Sequence, residues 1–227
     1  MMDVTRRLLA EFLGSALLAG VVIGSGILAL GVSAGNDGVA LLGNTAATAA
    51  ILWVLVATLG PVSGAHFNPA VTLAFAARRE ISASMALVYV VVQVGGCVAG
   101  GLLAHVMFEL PLIQVAMTDR SGPAKMLSEG VATFALVFAI FGAIRYAPKA
   151  VPAAVALVIA AGYWWTASTS FANPAITIAR SLSDTFAGVR PTDVPGFLIA
   201  QLAGALLATS ACAVLFVPGT DVANLAD

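Results

Sequence analysis

The chain has 227 residues, of which 60% are hydrophobic and only 9% charged, with a mean hydropathy of +1.02. Soluble domains carry roughly a quarter charged residues, so Lys, Arg, Asp and Glu are too few here to solvate the surface of a water-soluble fold. The net charge of −1 leaves no basic footprint for nucleic acid and no acidic tail for a basic partner. Nucleic-acid readers and ordinary cytosolic enzymes are excluded, and the chain belongs in a lipid bilayer.

A helical span of the hydrocarbon core needs about 20 apolar residues. The first such stretch covers 7–31. Arg6 and Arg7 ahead of it resemble the start of a cleavable leader, but leaders have an apolar core of about 7–15 residues, and this one is far longer and contains Glu11. It reads as a retained span. The second span, 42–60, runs into a loop of small and polar residues, Gly60 to Phe67, then Asn68-Pro69-Ala70 and a short apolar stretch, 69–78, closed by Arg78 and Arg79. The third span, 83–107, carries Gln93, Cys97 and His105. The fourth, 126–145, opens on Glu129, and the fifth covers 150–166. A second polar loop, Thr166 to Ala172, leads to Asn173-Pro174-Ala175 and a second short stretch, 174–183. The sixth span, 195–216, holds Gln201 and Cys212. Neither cysteine has metal-site spacing, and both read as small packing residues.

The basic residues orient the spans. Arg6, Arg7, Arg78, Arg79, Arg145 and Lys149 fall on one side, while Arg120, Lys125, Arg180 and Arg190 fall on the other. The excess marks the cytoplasm, so both termini are expected there, in the inner (plasma) membrane.

The two halves repeat. Glu11 aligns with Glu129, Asn68-Pro69-Ala70-Val71-Thr72 with Asn173-Pro174-Ala175-Ile176-Thr177, and Gln93-Val94-Gly95-Gly96 with Gln201-Leu202-Ala203-Gly204. The chain therefore reads as one membrane domain over 1–227, with a first repeat at 1–110 and a second at 120–220. Three spans per half make the second repeat inverted, and such folds place their site at the midplane between the repeats.

Asn at the N-cap and Pro at the first helical position are a preferred helix start. Ten residues at ~1.5 Å rise give about 15 Å, half the hydrocarbon thickness, so the two short stretches are re-entrant half-helices. Non-helical backbone at membrane depth must be buried in protein or line a water-filled cavity. Two half-helices entering from opposite faces thus imply a pore. Their N-termini meet at its centre with about half a positive charge each. The Asn68 and Asn173 amides supply donors there, and the carbonyls of Gly64, Ala65, His66, Ser168 and Thr169, with Ser170, supply acceptors toward the mouths.

The segment Ser63-Gly64-Ala65-His66-Phe67-Asn68-Pro69-Ala70-Val71-Thr72 and the second Asn173-Pro174-Ala175 resemble the signature loops of the aquaporin, or major intrinsic protein, family. The likeness extends over essentially the whole chain, including the Glu of spans one and four and the Gln of spans three and six. It implies an all-α membrane protein of six transmembrane helices and two half-spanning helices, an inverted 3+3 repeat. It also implies a homotetramer with one pore per subunit that passes small neutral solutes, without cofactor, metal or catalysis.

Water-selective members of that family have Arg directly after the second Asn-Pro-Ala; here the place is Ile176. Carrying the remaining filter places over by distance puts Thr48, Ala161 and Ser170 in the ring, with Gly162 in place of Ala161 if the register slips by one. That ring holds no charge and no aromatic, and should be wide. Together with Thr169-Ser170-Phe171-Ala172-Asn173-Pro174-Ala175 and Ile178-Ala179-Arg180-Ser181-Leu182 it is similar to bacterial aquaporins associated with arsenic resistance, which implies passage of metalloid hydroxides such as arsenite and of glycerol-like solutes. Arg180, one helical turn beyond Ile176, either lines the outer vestibule or contacts a lipid headgroup or Asp184. In the first case it can stand in for the missing Arg and make a water-selective pore. Glu11 and Glu129 are either braces for the re-entrant loops or a proton relay of a coupled transporter. His66 is expected to pack behind the cavity, with a pH-sensitive gate as the alternative, and neither it nor His105 has a partner at catalytic spacing.

Overall fold

The computed structural model describes residues 4–216; residues 1–3 and 217–227, and with them the chain ends assigned to the cytoplasm and the limit of the second repeat at 220, lie outside the described residues. Eight α-helices occur among those described: α1 (Val4–Val32), α2 (Asp37–Ser63), α3 (Pro69–Ala77), α4 (Ala83–Met107), α5 (Pro123–Tyr146), α6 (Val151–Trp165), α7 (Pro174–Arg180) and α8 (Val194–Leu215). Helices α1, α2, α4, α5 and α8 are long and apolar enough to cross a membrane. Helix α6 has 15 residues and continues from a 3₁₀ turn at Pro148–Ala150, which extends it toward the length of a span. The protein is a multi-pass membrane protein. Its outward face is apolar, with Leu9, Leu13, Leu17 and Leu28 on α1 and Ile199 and Leu207 on α8 all exposed.

The half-helices begin as their sequences dictate. Asn68 and Asn173 adopt nearly the same extended backbone, φ −155° with ψ 119° and 111°, and a proline follows each. They are shorter than the sequence suggests, nine and seven residues. Arg78 caps α3, and α7 stops at Arg180 because the chain turns away through Ser181.

The packing obeys the repeat. Helix α1 lies on α4 and α2, as α5 lies on α8 and α6, and α2 meets α6 across the middle. Each half-helix leans on both halves: α3 on α4 and α8, α7 on α8 and α4. The closest approaches are made at glycines. A Cβ on Gly96 would sit 2.5 Å from the carbonyl oxygen of Phe12, and one on Gly204 would strike that of Gly130. Phe12 and Gly130 are themselves aligned in the two repeats, so the α1–α4 and α5–α8 contacts are one contact made twice.

Candidate functional site

At the centre the two loops clasp each other. The Asn68 side-chain oxygen accepts from the amide of Ala70 at 2.8 Å, and its Nδ2 donates to the carbonyl of Ala172 at 2.7 Å. Asn173 does the converse, accepting from Ala175 at 3.0 Å and Ile176 at 3.3 Å and donating to the carbonyl of Phe67 at 2.9 Å. Each amide has two N–H groups, so one on each Asn is left over, and both residues border the central cavity.

Behind each loop stands a buried carboxylate. Glu11 accepts from the amides of His66 (3.0 Å) and Phe67 (2.8 Å), from the Ser63 hydroxyl (2.7 Å) and from Gln93 Nε2 (2.8 Å). Glu129 accepts from the amides of Phe171 and Ala172, both at 2.8 Å, and from Gln201 Nε2 at 2.6 Å. Gln93 and Gln201 each donate also to a threonine of the half-helix, Thr72 and Thr177, at 2.9 Å. These donors hold an unusual backbone. Gly64, Ala65 and Phe67 have φ of 93°, 51° and 47°, and the aligned Thr169, Ser170 and Ala172 have 63°, 52° and 49°. Such left-handed positions cost of order 1–3 kcal/mol each for non-glycine residues and persist only where the surroundings over-determine them.

The loops enclose a cavity of about 90 Å³ that runs from Phe75, Ile144 and Val151 near one mouth, past Asn68 and Asn173, to Thr48, Tyr163, Ser170, Ile176 and Arg180 near the other. The Thr48 and Tyr163 hydroxyls are 3.2 Å apart. Pro69, Ala70, Pro174 and Ala175 are buried beneath it. Glu11 and Glu129 are fully buried and do not border it.

Several expected placements change. Ala161 is exposed on the outer side of α6 and does not border the cavity; Gly162 is the residue that turns inward, packing behind cavity-lining Ser170, whose Oγ a Cβ at 162 would meet at 2.5 Å. A one-residue slip on a helix turns a side chain by about 100°, which is why spacing alone misplaces it. Ser168 and Thr169 lie off the cavity, because Arg120 Nη1 reaches the Ser168 carbonyl at 3.3 Å and Thr169 Oγ1 at 3.4 Å. Gly64, Ala65 and His66 border it. His66 itself borders the cavity, its ring stacked on Phe75 at 4.5 Å with Nδ1 3.1 Å from Thr72 Oγ1. Besides Thr48, Ser170 and Ile176 of the expected ring, an aromatic and a charged residue, Tyr163 and Arg180, border the same cavity. Arg180 is buried; it donates from Nε to the carbonyl of Ala187, while Asp184 accepts from the amide of Met117.

Sequence spacing does not point to Tyr163, Phe171 or Arg120. Tyr163 carries one usable signal, its position one helical turn beyond Ile159 on the buried face of α6. Arg120 has none, since it comes from the loop between α4 and α5, far away in sequence. His105 likewise gains partners beyond its own helix: its Nε2 is 2.8 Å from Ser183 Oγ and its Nδ1 2.9 Å from the Leu112 carbonyl, which tie α4 to the loops that follow α4 and α7.

The profile of the family described as Major intrinsic protein matches residues 1–150. The chain is 52% identical over 220 residues to the aquaglyceroporin AqpS of Rhizobium meliloti (strain 1021), spanning 97% of this chain and 94% of that protein. It is 28% identical over 236 residues to the aquaporin AqpM of Methanothermobacter marburgensis, spanning 92% and 96%. The X-ray structure of the aquaglyceroporin from Plasmodium falciparum superposes with a TM-score of 0.76 over 95% of this chain and 98% of that one, at 16% identity, a likeness of fold. With half-helices capped by paired asparagines, loops braced by paired glutamates and these relatives, the chain belongs to the major intrinsic protein family.

Proposed function

We propose that the protein is a passive channel for small uncharged hydroxylated solutes: water, glycerol-like polyols and neutral metalloid hydroxides such as arsenite in its protonated form. The observation that carries this reading is the wall of the cavity beyond the second Asn-Pro-Ala segment, where aliphatic Ile176 stands with the hydroxyl-bearing residues Thr48, Tyr163 and Ser170, and Gly162 leaves room behind Ser170. A full-length relative named an aquaglyceroporin supports the same solute class.

In this reading a solute sheds water at either mouth and exchanges it for fixed partners. The carbonyls of Gly64, Ala65 and His66 accept from it in one half, the spare N–H groups of Asn68 and Asn173 donate to its oxygen at the centre, and the hydroxyls receive it in the other half. Pro69-Ala70 and Pro174-Ala175 keep the helix starts rigid. A neutral solute loses little in the exchange, whereas an ion surrenders hydration worth far more, and the positive helix ends oppose cations. No bond is made or broken and no cofactor enters. The pore works in the inner membrane with the chain ends in the cytoplasm, and four copies assemble side by side.

A proton relay through Glu11 and Glu129 is disfavoured, because their oxygens already receive N–H and O–H donors from the loops they brace. Stopped-flow measurements on proteoliposomes with water, glycerol, urea and arsenite test the proposal. All four are expected to cross, without accumulation under an imposed pH gradient. Flux of water alone would sink the wide-channel reading, and uphill accumulation would sink the passive one.

A further inference from the structure

The two mouths of the cavity are built differently on the repeated scaffold. His66 and Phe171 occupy aligned places. Around His66 gather Phe75 and Tyr89, with Arg7 on the far side of Tyr89. Around Phe171 gather two arginines: the Arg180 guanidinium carbon is 3.3 Å from the ring centroid and that of Arg120 is 5.0 Å from it. All three Arg120 nitrogens have acceptors: Nε donates to the carbonyl of Gly188 at 2.8 Å, Nη2 to that of Phe186 at 3.4 Å, and Nη1 to the Ser168 carbonyl and the Thr169 hydroxyl. Arg180 differs. Its Nε serves Ala187, and its two terminal nitrogens meet no acceptor among the described residues. Neither guanidinium has a carboxylate within salt-bridge distance among the described residues. Arg180 is 3% exposed and borders the cavity. A buried charge without a carboxylate or hydrogen-bonding acceptors for its remaining N–H groups is strongly unfavourable, unless those groups serve what fills the cavity.

We infer that Arg180 is the outer specificity residue of this pore and that Arg120 is its positioning residue. The unpartnered Nη groups donate to the oxygen of an entering solute and place a fixed positive charge in the wall one turn beyond Ile176, so the mouth admits neutral oxygen-bearing solutes and rejects cations of the same size. Arg120 clamps the loops that carry Ser168, Phe186 and Gly188 around Phe171. This closes the space behind Arg180, and the like charge of Arg120 pushes the Arg180 head toward the cavity. The inference rests on the channel reading above.

Urea and guanidinium test it, because they share a planar shape and differ by one charge. In proteoliposomes, with each flux normalised to water permeability, the native protein is expected to pass urea and exclude guanidinium. Arg180→Gln should raise the ratio of guanidinium to urea flux by about tenfold or more, as loss of a nearby unit charge implies. Arg180→Lys, which keeps the charge, should still exclude guanidinium. Arg120→Gln, which leaves Arg180 in place but unclamped, should shift the ratio in the same direction by a smaller factor; this variant carries the test if Arg180→Gln does not assemble. An unchanged ratio in assembled Arg180→Gln, or in Arg120→Gln should only that variant assemble, would overturn the inference. Absence of urea flux in the native protein would instead count against the wide-channel reading, and the guanidinium-to-water ratio would still decide this one.

Discussion

The side-chain amide of Asn68 donates to the backbone carbonyl of Ala172 at 2.7 Å, so the helix cap of one repeat is also a strut for the loop of the other. Asn173 and Phe67 make the reciprocal bond at 2.9 Å. Two half-helices that enter from opposite faces are thereby fastened tip to tip, and the residue that starts each helix also sets its distance from the other.

Truncating either amide removes a cap and a cross-loop hydrogen bond together. At about 1 kcal/mol for each, Asn68→Ala and Asn173→Ala should each destabilise the protein by roughly 2 kcal/mol. Thermal unfolding in detergent reads this directly, and midpoints equal to the native one would show that the clasp contributes nothing.

The glutamate braces accept and never donate, so the ionised carboxylate is the form that fits. In Glu11→Gln and Glu129→Gln an NH₂ replaces an oxygen that faces donors: Ser63 and the His66 amide, or Gln93 and the Phe67 amide, in the first repeat, and the matching group in the second. Leaving such donors unmatched costs roughly 2–4 kcal/mol. Both variants should unfold earlier and lose solute flux to a similar extent. Native-like stability in either would refute a structural role for that carboxylate.

Gly162 and Ala161 provide a test of which face of α6 meets the pore. A methyl at 162 crowds Ser170 Oγ, so Gly162→Ala should reduce glycerol flux more than water flux. Ala161→Leu adds bulk on the exposed side and should leave both unchanged. The opposite pattern would restore Ala161 to the wall.

Gly96 and Gly204 set how closely the long helices approach. With a carbonyl directly in the path of a Cβ, Gly96→Ala and Gly204→Ala should separate α1 from α4 and α5 from α8. Size-exclusion profiles of the solubilised variants are expected to show aggregation. Monodisperse, conducting protein would mean that the helices can slide apart at little cost.

Thr169 holds a left-handed backbone that its counterpart in the first repeat assigns to Gly64. A β-branched residue is strained there, and its hydroxyl gains only a long contact to Arg120. Thr169→Gly should therefore raise stability by about 1 kcal/mol, seen as a higher unfolding midpoint; a lower one would assign the larger effect to the Arg120 contact.

Much of the scaffold was legible because its causes are local. Asn-Pro at a helix start caps whatever surrounds it, so α3 and α7 could be read from five residues each. Apolar runs of span length mark helices without any knowledge of neighbours, and the paired Glu, Thr and Gln residues announce a bracing set that occurs twice. The lining of the outer mouth was less legible. Whether Ala161 or Gly162 turns inward depends on the rotation of α6, which packing against α2 and α5 decides. Tyr163 reaches Thr48 only because those helices cross there. Arg120 reaches Ser168 across a loop whose path carries no periodic signal.

The amino-acid sequence alone determined that this is a duplicated membrane protein with two half-helices meeting head to head, because hydropathy, capping and repetition act over a few residues at a time. Tertiary structure alone decided which side chains share the cavity. It turned Ala161 outward and brought Gly162 against Ser170. It drew Arg120 and Arg180 onto one phenylalanine, and it tied Asn68 to Ala172. Those pairings depend on helix rotation and on contacts between segments far apart in the chain, and no local pattern encodes either.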